Sequence, residues 1–320
     1  MNLEEIAAKS IDDILRCINL SSLLELSGWP KPGNVHRTKN FEETKFEHFL
    51  GGIAAIQPNF KEFCEYIINK YEKEINISNN VNLGFFIKKA ANEMMKWQYG
   101  GNVLLGHLLI LAPLTASAVI CLKLNNKSFK NFKDTIKNVI NETSVEDTIN
   151  LYEAIKICNP GGLGRISKYD IYDENSIEKL KEDKITLKKI FELSKDYDLI
   201  SSEYSTGFSI ILNDGLRYYI KSYNEFKDIN IATVNTFLRL LSEHHDTLII
   251  RKSGSKAALL VSKKALQILK KGGISTKKGL RMTFKFDKMI QKKKGKLNPG
   301  TTADLITGVI FIALLFGLKY

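Results

Sequence analysis

Apolar residues recur along this chain at intervals of three and four, the spacing that places them on one face of an α-helix. The same spacing predicts helices over residues 46–56, 60–71, 83–95, 145–157, 187–193, 203–221 and 233–242. Ser144 is a candidate N-cap for the helix that begins at Val145, with Asp147 in its first turn. Between Leu3 and Leu26 the apolar stripe consists of Ile6, Ala7, Ile11, Ile14, Leu15 and Ile18.

Two segments, residues 103–124 and 305–318, are apolar almost throughout. A membrane-spanning helix needs about 20 apolar residues. The first segment has that length but contains His107 and Pro113, whereas the second is shorter. Because a helix that is apolar on every side is also what the centre of a large bundle requires, we expect both segments to be buried core helices. A membrane anchor is the alternative for the second segment.

Little in the remaining pattern favours strands or separate domains. Residues 247–250 form a strand-like window that is too short to found a sheet. The chain of 320 residues has six prolines, 21 glycines and no Pro/Ser-rich linker. We therefore predict an all-α fold in which residues 1–320 form a single-domain multi-helix bundle with buried central helices.

Cysteine usage and the N-terminus bear on the cellular compartment. Cys17, Cys64, Cys121 and Cys158 are scattered through apolar helical segments, without a CxxC pair or metal-ligand spacing. We expect them to be reduced thiols of the core. The first five residues include two glutamates and no apolar signal core, so a cytoplasmic location is expected.

The formal net charge of +12 is concentrated toward the C-terminus. Residues 263–296 contain thirteen Lys or Arg and a single acid, Asp287. Nucleic-acid binding is one interpretation of such a stretch. Lysine dominates over arginine, however, and no aromatic platform interleaves with it. A solvated lysine-rich face is therefore favoured, with some of its lysines available to steer a polyphosphate toward a pocket.

Four short motifs place Gly, Pro, Asn or Asp beside charged residues at the ends of apolar segments. Backbone N–H groups at helix N-termini bind anions, so the motifs predict one polar pocket suited to phosphate. They are Lys31-Pro32-Gly33-Asn34-Val35-His36-Arg37, Gly100-Gly101-Asn102 with Gly106, Asp246-Thr247 with Arg251 and Gly254, and Asn298-Pro299-Gly300-Thr301-Thr302-Ala303-Asp304. We expect Lys31, His36, Asn102, Asp246, Arg251 and Asp304 to converge on this pocket.

Structural roles are the alternative for several of these residues. Asn102, Asp246 and Asp304 lie next to apolar segments, where helix capping alone would account for them. His36 is equally a candidate for a hydrogen-bonded structural histidine, and Lys31 for a solvated turn residue. Capping and ligand binding are compatible for Asn102, because both roles use the same helix start.

In this order, the four motifs resemble those of the triphosphoribosyl-dephospho-CoA synthase family. That family carries Lys-Pro-Gly-Leu-Val-Asp near its start, then Gly-x-Asn-Thr-His-Lys-Gly, a later Asp-Thr followed by Arg and Gly, and Pro-Gly-Gly-Ser-Ala-Asp-Leu at its last helix. The resemblance covers about residues 20–318 and implies an all-helical fold. The matching positions are Lys31-Pro32-Gly33, Asn102 with Gly106, Asp246-Thr247 with Arg251, and Pro299-Gly300 with Ala303-Asp304-Leu305.

The chain also departs from the family pattern. His36 replaces an Asp, and residues 41–48 replace a Gly-Ala-His-x-Asp-Met block. Val103-Leu104-Leu105 replace Thr-His-Lys, and Gly161-Gly162-Leu163-Gly164-Arg165 stand where the family has Gly-Ala-Arg-Gly-Glu. These differences indicate a divergent branch, similar to archaeal homologues, in which we expect the nucleotide site to persist while the acceptor can differ.

The resemblance implies transfer of the 5-triphosphoribosyl group of ATP to the 2′-hydroxyl of 3′-dephospho-CoA, or of a related coenzyme acceptor, with release of adenine. Such a glycosyl transfer needs a proton acceptor, and cations with Mg²⁺ to hold three phosphates. The candidates are His36, Glu43 and Glu203 for proton transfer; Asp246, Asp304 and Glu47 for Mg²⁺; and Lys31, Gly33, Arg37, Asn102, Gly106, Thr247, Arg251 and Gly300 for phosphate and substrate.

Two other function classes stay open. The same fold and nucleotide site could serve another step of coenzyme biosynthesis, or the chain could be a non-enzymatic lysine-rich binder of nucleic acid or membrane surfaces. We expect small-molecule substrates, ATP and a dephospho-CoA-like acceptor, rather than nucleic acid or membrane as partners. Release of adenine from ATP would support the first class, whereas salt-dependent binding of random DNA would support the last.

Overall fold

The computed structural model describes residues 4–73, 80–164, 166 and 168–320. Residues 1–3 and Arg165 thus lie outside the described residues. Within the described ranges the chain forms fifteen α-helices and no β-strand, so the predicted all-α fold is confirmed. The helices are α1 (Ile11–Ser27), α2 (Phe46–Lys73), α3 (Leu83–Lys96), α4 (Leu105–Lys123), α5 (Phe129–Asn141), α6 (Val145–Cys158), α7 (Ser176–Glu182), α8 (Leu187–Ser194), α9 (Leu199–Thr206), α10 (Leu216–Phe226), α11 (Ile229–Glu243), α12 (Thr247–Ser253), α13 (Ser255–Leu269), α14 (Lys277–Gln291) and α15 (Gly300–Leu315).

The two most apolar helices, α4 and α15, form the centre of the bundle. They contact each other; α1, α2, α3 and α5 pack on α4, and α1, α10 and α11 pack on α15. In the described part of the chain, α4 is the one helix long and apolar enough to cross a membrane, yet 89% of its most apolar stretch is buried inside the protein. The expectation that both apolar segments are core helices is therefore confirmed.

Capping residues set several helix starts, and one differs from the predicted position. The first helix begins at Ile11 rather than near Leu3, because the Ser10 hydroxyl accepts the N–H of Asp13 at 3.2 Å. Ser144 and Asp147 form the reciprocal capping box that the sequence indicated at the start of α6.

Proline did not divide the second predicted helix. The segments predicted as residues 46–56 and 60–71 are one helix, α2, with Pro58 inside it. Proline removes a single helical hydrogen bond, and the apolar neighbours Ile56 and Phe60 are both fully buried. Packing of the continuous apolar face therefore carries the helix through the proline.

Two later segments also differ from the predicted elements. The single helix predicted over residues 203–221 is divided at Gly207, whose φ of +70° ends α9, and a π-helix, Ile210–Gly215, connects it to α10. Residues 247–250, which look strand-like in the sequence, form the first turn of α12. Asp246 caps that turn by accepting the N–H of Ile249 at 3.0 Å.

Candidate active site

A cavity of about 820 Å³ lies where α1, α4, α6, α8, α9, α12 and α15 meet. Its charged and amide side chains come mainly from α1, α4, α12, α15 and the turns next to these helices. Helices α6 and α8 and the loop after α6 contribute mostly apolar and tyrosine side chains. The charged and amide set is Glu25, Lys31, Asn34, Asn102, His107, Lys168, Asp198, Arg251, Asn298 and Asp304, and the mostly apolar set includes Leu151, Tyr152, Ile155, Ile166, Tyr169, Ile171, Tyr172, Ile190, Phe191, Leu193, Tyr197 and Ile200.

Glu25 lies at the centre of a buried polar network in the cavity wall. Its carboxylate accepts a hydrogen bond from Lys31 Nζ, which also donates to the Glu25 carbonyl oxygen at 2.7 Å. His107 Nε2 lies 3.5 Å from Glu25 Oε2 and 3.7 Å from Asp304 Oδ1. The side chains of Lys31, Glu25 and His107 are at most 3% exposed, whereas that of Asp304 is 21% exposed. Asp304 is therefore the most accessible member of the network.

The two carboxylates of this network have different proton affinities. Burial raises the pKa of Asp304 well above its ordinary value, and Glu25 and Asp246 act in the same direction. For Glu25, burial acts to raise the pKa, but the charge of Lys31 and the hydrogen bond from His107 outweigh it, so the pKa is lowered. Glu25 is thus ionised beside Lys31, while Asp304 binds a proton more readily. A pair whose environments separate the two pKa values in this way marks an acid/base site.

The start of α4 is shaped to receive Asp304. A Cβ atom on Gly106 would lie 2.0 Å from Asp304 Oδ2, so a larger residue at this position would collide with the carboxylate. The N-cap position of α4 is Leu104, but Asn102 Oδ1 accepts the N–H of Leu105, the first residue of the helix, at 3.0 Å. Asn102 and Gly106 also line the cavity, so the predicted turn contributes both a helix start and a site wall.

The turn of residues 31–37 is held against α14 by contacts to Asp287. Gly33 has a φ of +83°, and its N–H donates to Asp287 Oδ1 at 2.9 Å. His36 Nε2 lies 3.3 Å from the other oxygen of Asp287. His36 is buried and does not line the cavity. These contacts match the structural alternative for His36 rather than a role in proton transfer. Gly33 likewise has a structural role, because its positive φ and its N–H shape the turn.

Two buried polar atoms of the cavity residues have no hydrogen-bond partner within the described ranges. They are Asn34 Oδ1 and His107 Nδ1. Asn34 is held in place through its other amide atom, because Asn34 Nδ2 donates to Asn298 Oδ1 at 2.7 Å. Buried polar atoms are almost always paired, so these two atoms are available to a ligand or to a water molecule.

Asp246 joins the starts of α12 and α15 behind the cavity wall. Its Oδ2 accepts the backbone N–H and the hydroxyl of Thr302 at 2.7 and 2.8 Å, while its Oδ1 caps α12. Both carboxylate oxygens are therefore occupied, and the side chain is fully buried. This geometry corrects the metal-ligand prediction for Asp246 to a capping role. Thr247, buried beside it, places its hydroxyl 3.2 Å from that of Thr301 and does not line the cavity.

Arg251 and Gly300 do line the cavity. Arg251 donates a hydrogen bond to Asp198 Oδ2 at 2.6 Å, and Asp198 also caps α9 by accepting the N–H of Ser201 at 2.9 Å. The guanidinium is thus held against α9 while part of it faces the cavity. Gly300 is the first residue of α15, so the N-terminus of that helix opens on the same space.

Glu203 lies away from the cavity. Its carboxylate accepts the N–H groups of Ile210 and Ile211 at 2.8 and 2.9 Å, which holds the π-helix in place. The side chain is fully buried and does not line the cavity. Burial raises its pKa to about 7. The proton-transfer role predicted for Glu203 is therefore replaced by a structural one.

Three further predicted residues are also outside the cavity lining. Arg37 donates two hydrogen bonds to the carbonyl oxygen of Ser27, at 2.9 and 2.6 Å. Glu43 and Glu47 are exposed near the start of α2. The described ranges contain no group of three or more His, Cys, Asp or Glu side chains placed to hold a metal ion. The three predicted metal ligands thus do not form a shared ion site.

Sequence motifs did not single out two members of the central network, Glu25 and His107. Both carry a signal that could have found them. Glu25 is the one charged residue in the run Leu23-Leu24-Glu25-Leu26, and His107 interrupts the longest apolar segment. An ionisable side chain in an apolar helix must find a partner when it is buried, and these two find each other.

The family model for ATP:dephospho-CoA triphosphoribosyl transferase (CitG) matches residues 11–319, which is nearly all of the 320-residue chain. The chain belongs to this family. The resemblance predicted from the four motifs is confirmed. As an ATP:dephospho-CoA triphosphoribosyl transferase family member, the chain is a transferase that moves the triphosphoribosyl group of ATP to dephospho-CoA.

A solved structure shows the same fold as this transferase. It is that of a protein from Archaeoglobus fulgidus, provisionally named triphosphoribosyl-dephospho-CoA synthase. The match has a TM-score of 0.63 and 24% sequence identity, and it covers 84% of this chain and 100% of that protein. At this identity the likeness concerns the fold, and it agrees with the helical architecture described above.

Proposed function

We propose that the cavity binds ATP and dephospho-CoA together and that Asp304 accepts the proton of the acceptor's 2′-hydroxyl. The observation that carries this proposal is the position of Asp304, whose carboxylate lines the cavity and belongs to the buried network of Lys31, Glu25 and His107. Burial raises the pKa of Asp304 well above its ordinary value, and a carboxylate with a higher proton affinity is a stronger general base.

The polar part of the cavity supplies groups for the phosphates of both substrates. Arg251 and Lys168 contribute positive charge, and the N-terminus of α15 at Gly300 and Thr301 opens on the same space. Helix N-termini and cationic side chains are the usual protein partners of phosphate. Lys31 is committed to Glu25, so we propose that it acts by fixing the network rather than by carrying most of the phosphate charge.

The bonds that break and form in the transfer indicate what Asp304 and Glu25 each do. The C1′–N9 bond of ATP breaks, and a bond forms between C1′ and the 2′-oxygen of dephospho-CoA. The proton that Asp304 takes from the hydroxyl balances the proton that adenine takes up as it leaves. Positive charge develops on the ribose ring in such a transfer, and the ionised Glu25 carboxylate nearby supplies compensating negative charge.

We propose that Mg²⁺ enters as the Mg·ATP complex. Mg²⁺ at nucleotide sites takes most of its ligands from phosphate oxygens and water, with one or two protein carboxylates. Of the three predicted ligands, Asp246 already accepts hydrogen bonds with both carboxylate oxygens, and Glu47 lies outside the cavity lining. The triphosphate would therefore supply most of the coordination. The ion would there offset the charge of the phosphates.

We also propose the cytoplasm as the compartment of the reaction. Cys17, Cys64, Cys121 and Cys158 are free thiols, which is typical of a reducing compartment. Three of the four are buried, as the sequence predicted for core thiols.

The test measures adenine released from ATP in the presence of dephospho-CoA. Asp304→Asn is expected to lower kcat at least 100-fold, because general-base catalysis contributes about 10²–10⁴ in rate. Its fold should persist, since the substitution removes a carboxylate that burial and its neighbours disfavour. Asp134→Asn, on the exposed surface of α5, is the matched control and should keep the parent rate. An Asp304→Asn enzyme as active as the parent would remove Asp304 from the chemistry.

A further inference from the structure

Three of the mostly apolar residues that line the cavity form a patch of exposed side chains. Leu193 and Tyr197 are each 53% exposed and Tyr172 is 42% exposed, and all three line the cavity. Large apolar side chains that are this exposed and face one space usually mark a binding surface. The chemistry assigned above to Asp304, Arg251 and the triphosphate does not use them.

The patch is continuous with the polar part of the site. Tyr197 directly precedes Asp198, which holds Arg251 in the cavity wall. Arg251 in turn lies close enough to Asp304 to act on its pKa. Along the wall the order is therefore a proton-accepting carboxylate, then a guanidinium, then an apolar surface.

Dephospho-CoA has the same order of groups. Its adenosine carries the reacting 2′-hydroxyl, a diphosphate follows, and the long pantetheine tail with its geminal dimethyl group comes last. ATP has no such tail, because everything beyond its ribose on that side is phosphate. The cavity of about 820 Å³ lies toward the upper end of the 300–1,000 Å³ found for ligand pockets, so it has room for an extended acceptor.

We propose that the surface formed by Leu193, Tyr197 and Tyr172 binds the pantetheine tail of dephospho-CoA and selects this acceptor over nucleotides that lack the tail. This inference rests on the proposed function for the identity of the reacting hydroxyl. The binding surface itself is argued from its apolar exposure and its continuity with Arg251 and Asp304.

The kinetic test compares two acceptors in two variants. Leu193→Ser and Tyr197→Ser are expected to raise KM for dephospho-CoA about five- to tenfold, a typical effect of removing apolar contacts from a binding pocket. KM for ATP should stay within twofold of the parent value. With adenosine 5′-diphosphate as a truncated acceptor, the variants should match the parent, because the group they contact is missing. Leu260→Ser, an exposed leucine on α13 outside the cavity, is the matched control.

Three outcomes would overturn the tail site. They are equal losses with dephospho-CoA and with the truncated acceptor, a rise confined to KM for ATP, and unchanged kinetics throughout. Calorimetry separates this inference from the proposed function. If no adenine is released by the parent enzyme, the proposed function fails, yet weaker binding of dephospho-CoA by Leu193→Ser, with unchanged binding of adenosine 5′-diphosphate, would still support the tail site. Equal binding of dephospho-CoA by variant and parent would reject it.

Discussion

Among single residues, the buried pair of Lys31 and Glu25 has the largest influence on both stability and the site. Each charge is removed from water, and each is compensated mainly by the other. Breaking a buried pair by removing one partner is much more damaging than removing both, because the remaining charge has no compensation. The pair therefore constrains the turn of residues 31–37 to the end of α1, next to Asp304.

Lys31→Met is expected to lower the free energy of unfolding by about 3–5 kcal/mol, since it leaves the buried Glu25 carboxylate without its lysine partner. The double variant Lys31→Met/Glu25→Gln should regain most of this stability but not the release of adenine. Urea unfolding at constant pH, together with the adenine assay, measures both. Lys61→Met, which removes an exposed ion pair with Glu65, should change stability by less than about 1 kcal/mol. Equal destabilisation by the single and double Lys31 variants would contradict the compensation.

The sequence predicted residue positions better than residue roles. Lys31, Asn102, Arg251 and Asp304 line one cavity, as expected from motifs with helix-starting residues. Their roles stay predictions. The role predicted for His36 depended on its residue type alone, and the partner that gives it a structural function lies on α14, far along the chain. Contacts between distant segments are what a pattern of nearby residues does not specify.

At the scale of helices, the junction between α9 and the π-helix depends on one carboxylate. Glu203 satisfies two N–H groups of the π-helix, which would otherwise be left without partners at a helix start. Periodicity predicted one continuous helix here, because the spacing of apolar residues does not show that Gly207 adopts the positive φ that ends α9. The same limit explains α12, whose four apolar and β-branched residues at its start look like a strand until Asp246 is seen to cap them.

Glu203 makes the stability of this junction depend on pH. Its pKa is raised from 4.5 to about 7 in the folded protein, so the native state binds a proton that the unfolded state releases between these values. Stability should therefore fall as pH rises from about 4.5 to about 7, by about 3 kcal/mol in all. Glu203→Gln should flatten this dependence in urea unfolding measured across that range. If the stability of the Glu203→Gln variant depended on pH as steeply as that of the parent, other groups would be responsible.

The turn of residues 31–37 depends on glycine for two separate reasons. Gly33 has positive φ, and a Cβ atom there would lie 2.8 Å from Ile290 and 2.9 Å from Pro299. Gly33→Ala should therefore destabilise the protein by about 2–4 kcal/mol, through backbone strain and overpacking together. Gly254→Ala has nearly the same φ but no neighbour within 4 Å, so it should show backbone strain without a collision, about 1–3 kcal/mol. Thermal unfolding of the two variants measures the difference, and equal losses would exclude the collision at α14.

At the scale of the whole molecule, the basic stretch and the active site are separate features. All thirteen Lys and Arg residues of the segment 263–296 are exposed, and none lines the cavity. The lysine-rich face is thus an exposed surface outside the cavity lining. The cavity, by contrast, is built from helices distributed from α1 to α15. Helix type and the central position of α4 and α15 followed from periodicity and hydropathy, whereas this assembly of distant helix ends required the structure.

Because the cavity walls come from both ends of the chain, substrate binding should stabilise the molecule as a whole. A ligand that binds only the native state at 100 times its Kd adds about 2.7 kcal/mol, which corresponds to several degrees in the midpoint of thermal unfolding. Mg·ATP and dephospho-CoA should each raise this midpoint for the parent and for Asp134→Asn, and the whole transition should move together. The Lys31→Met/Glu25→Gln variant should show a smaller rise, because its site has lost the charges that order it. A curve in which part of the transition moves and the rest stays would contradict the single-domain prediction, since the cavity would then report on only one folding unit.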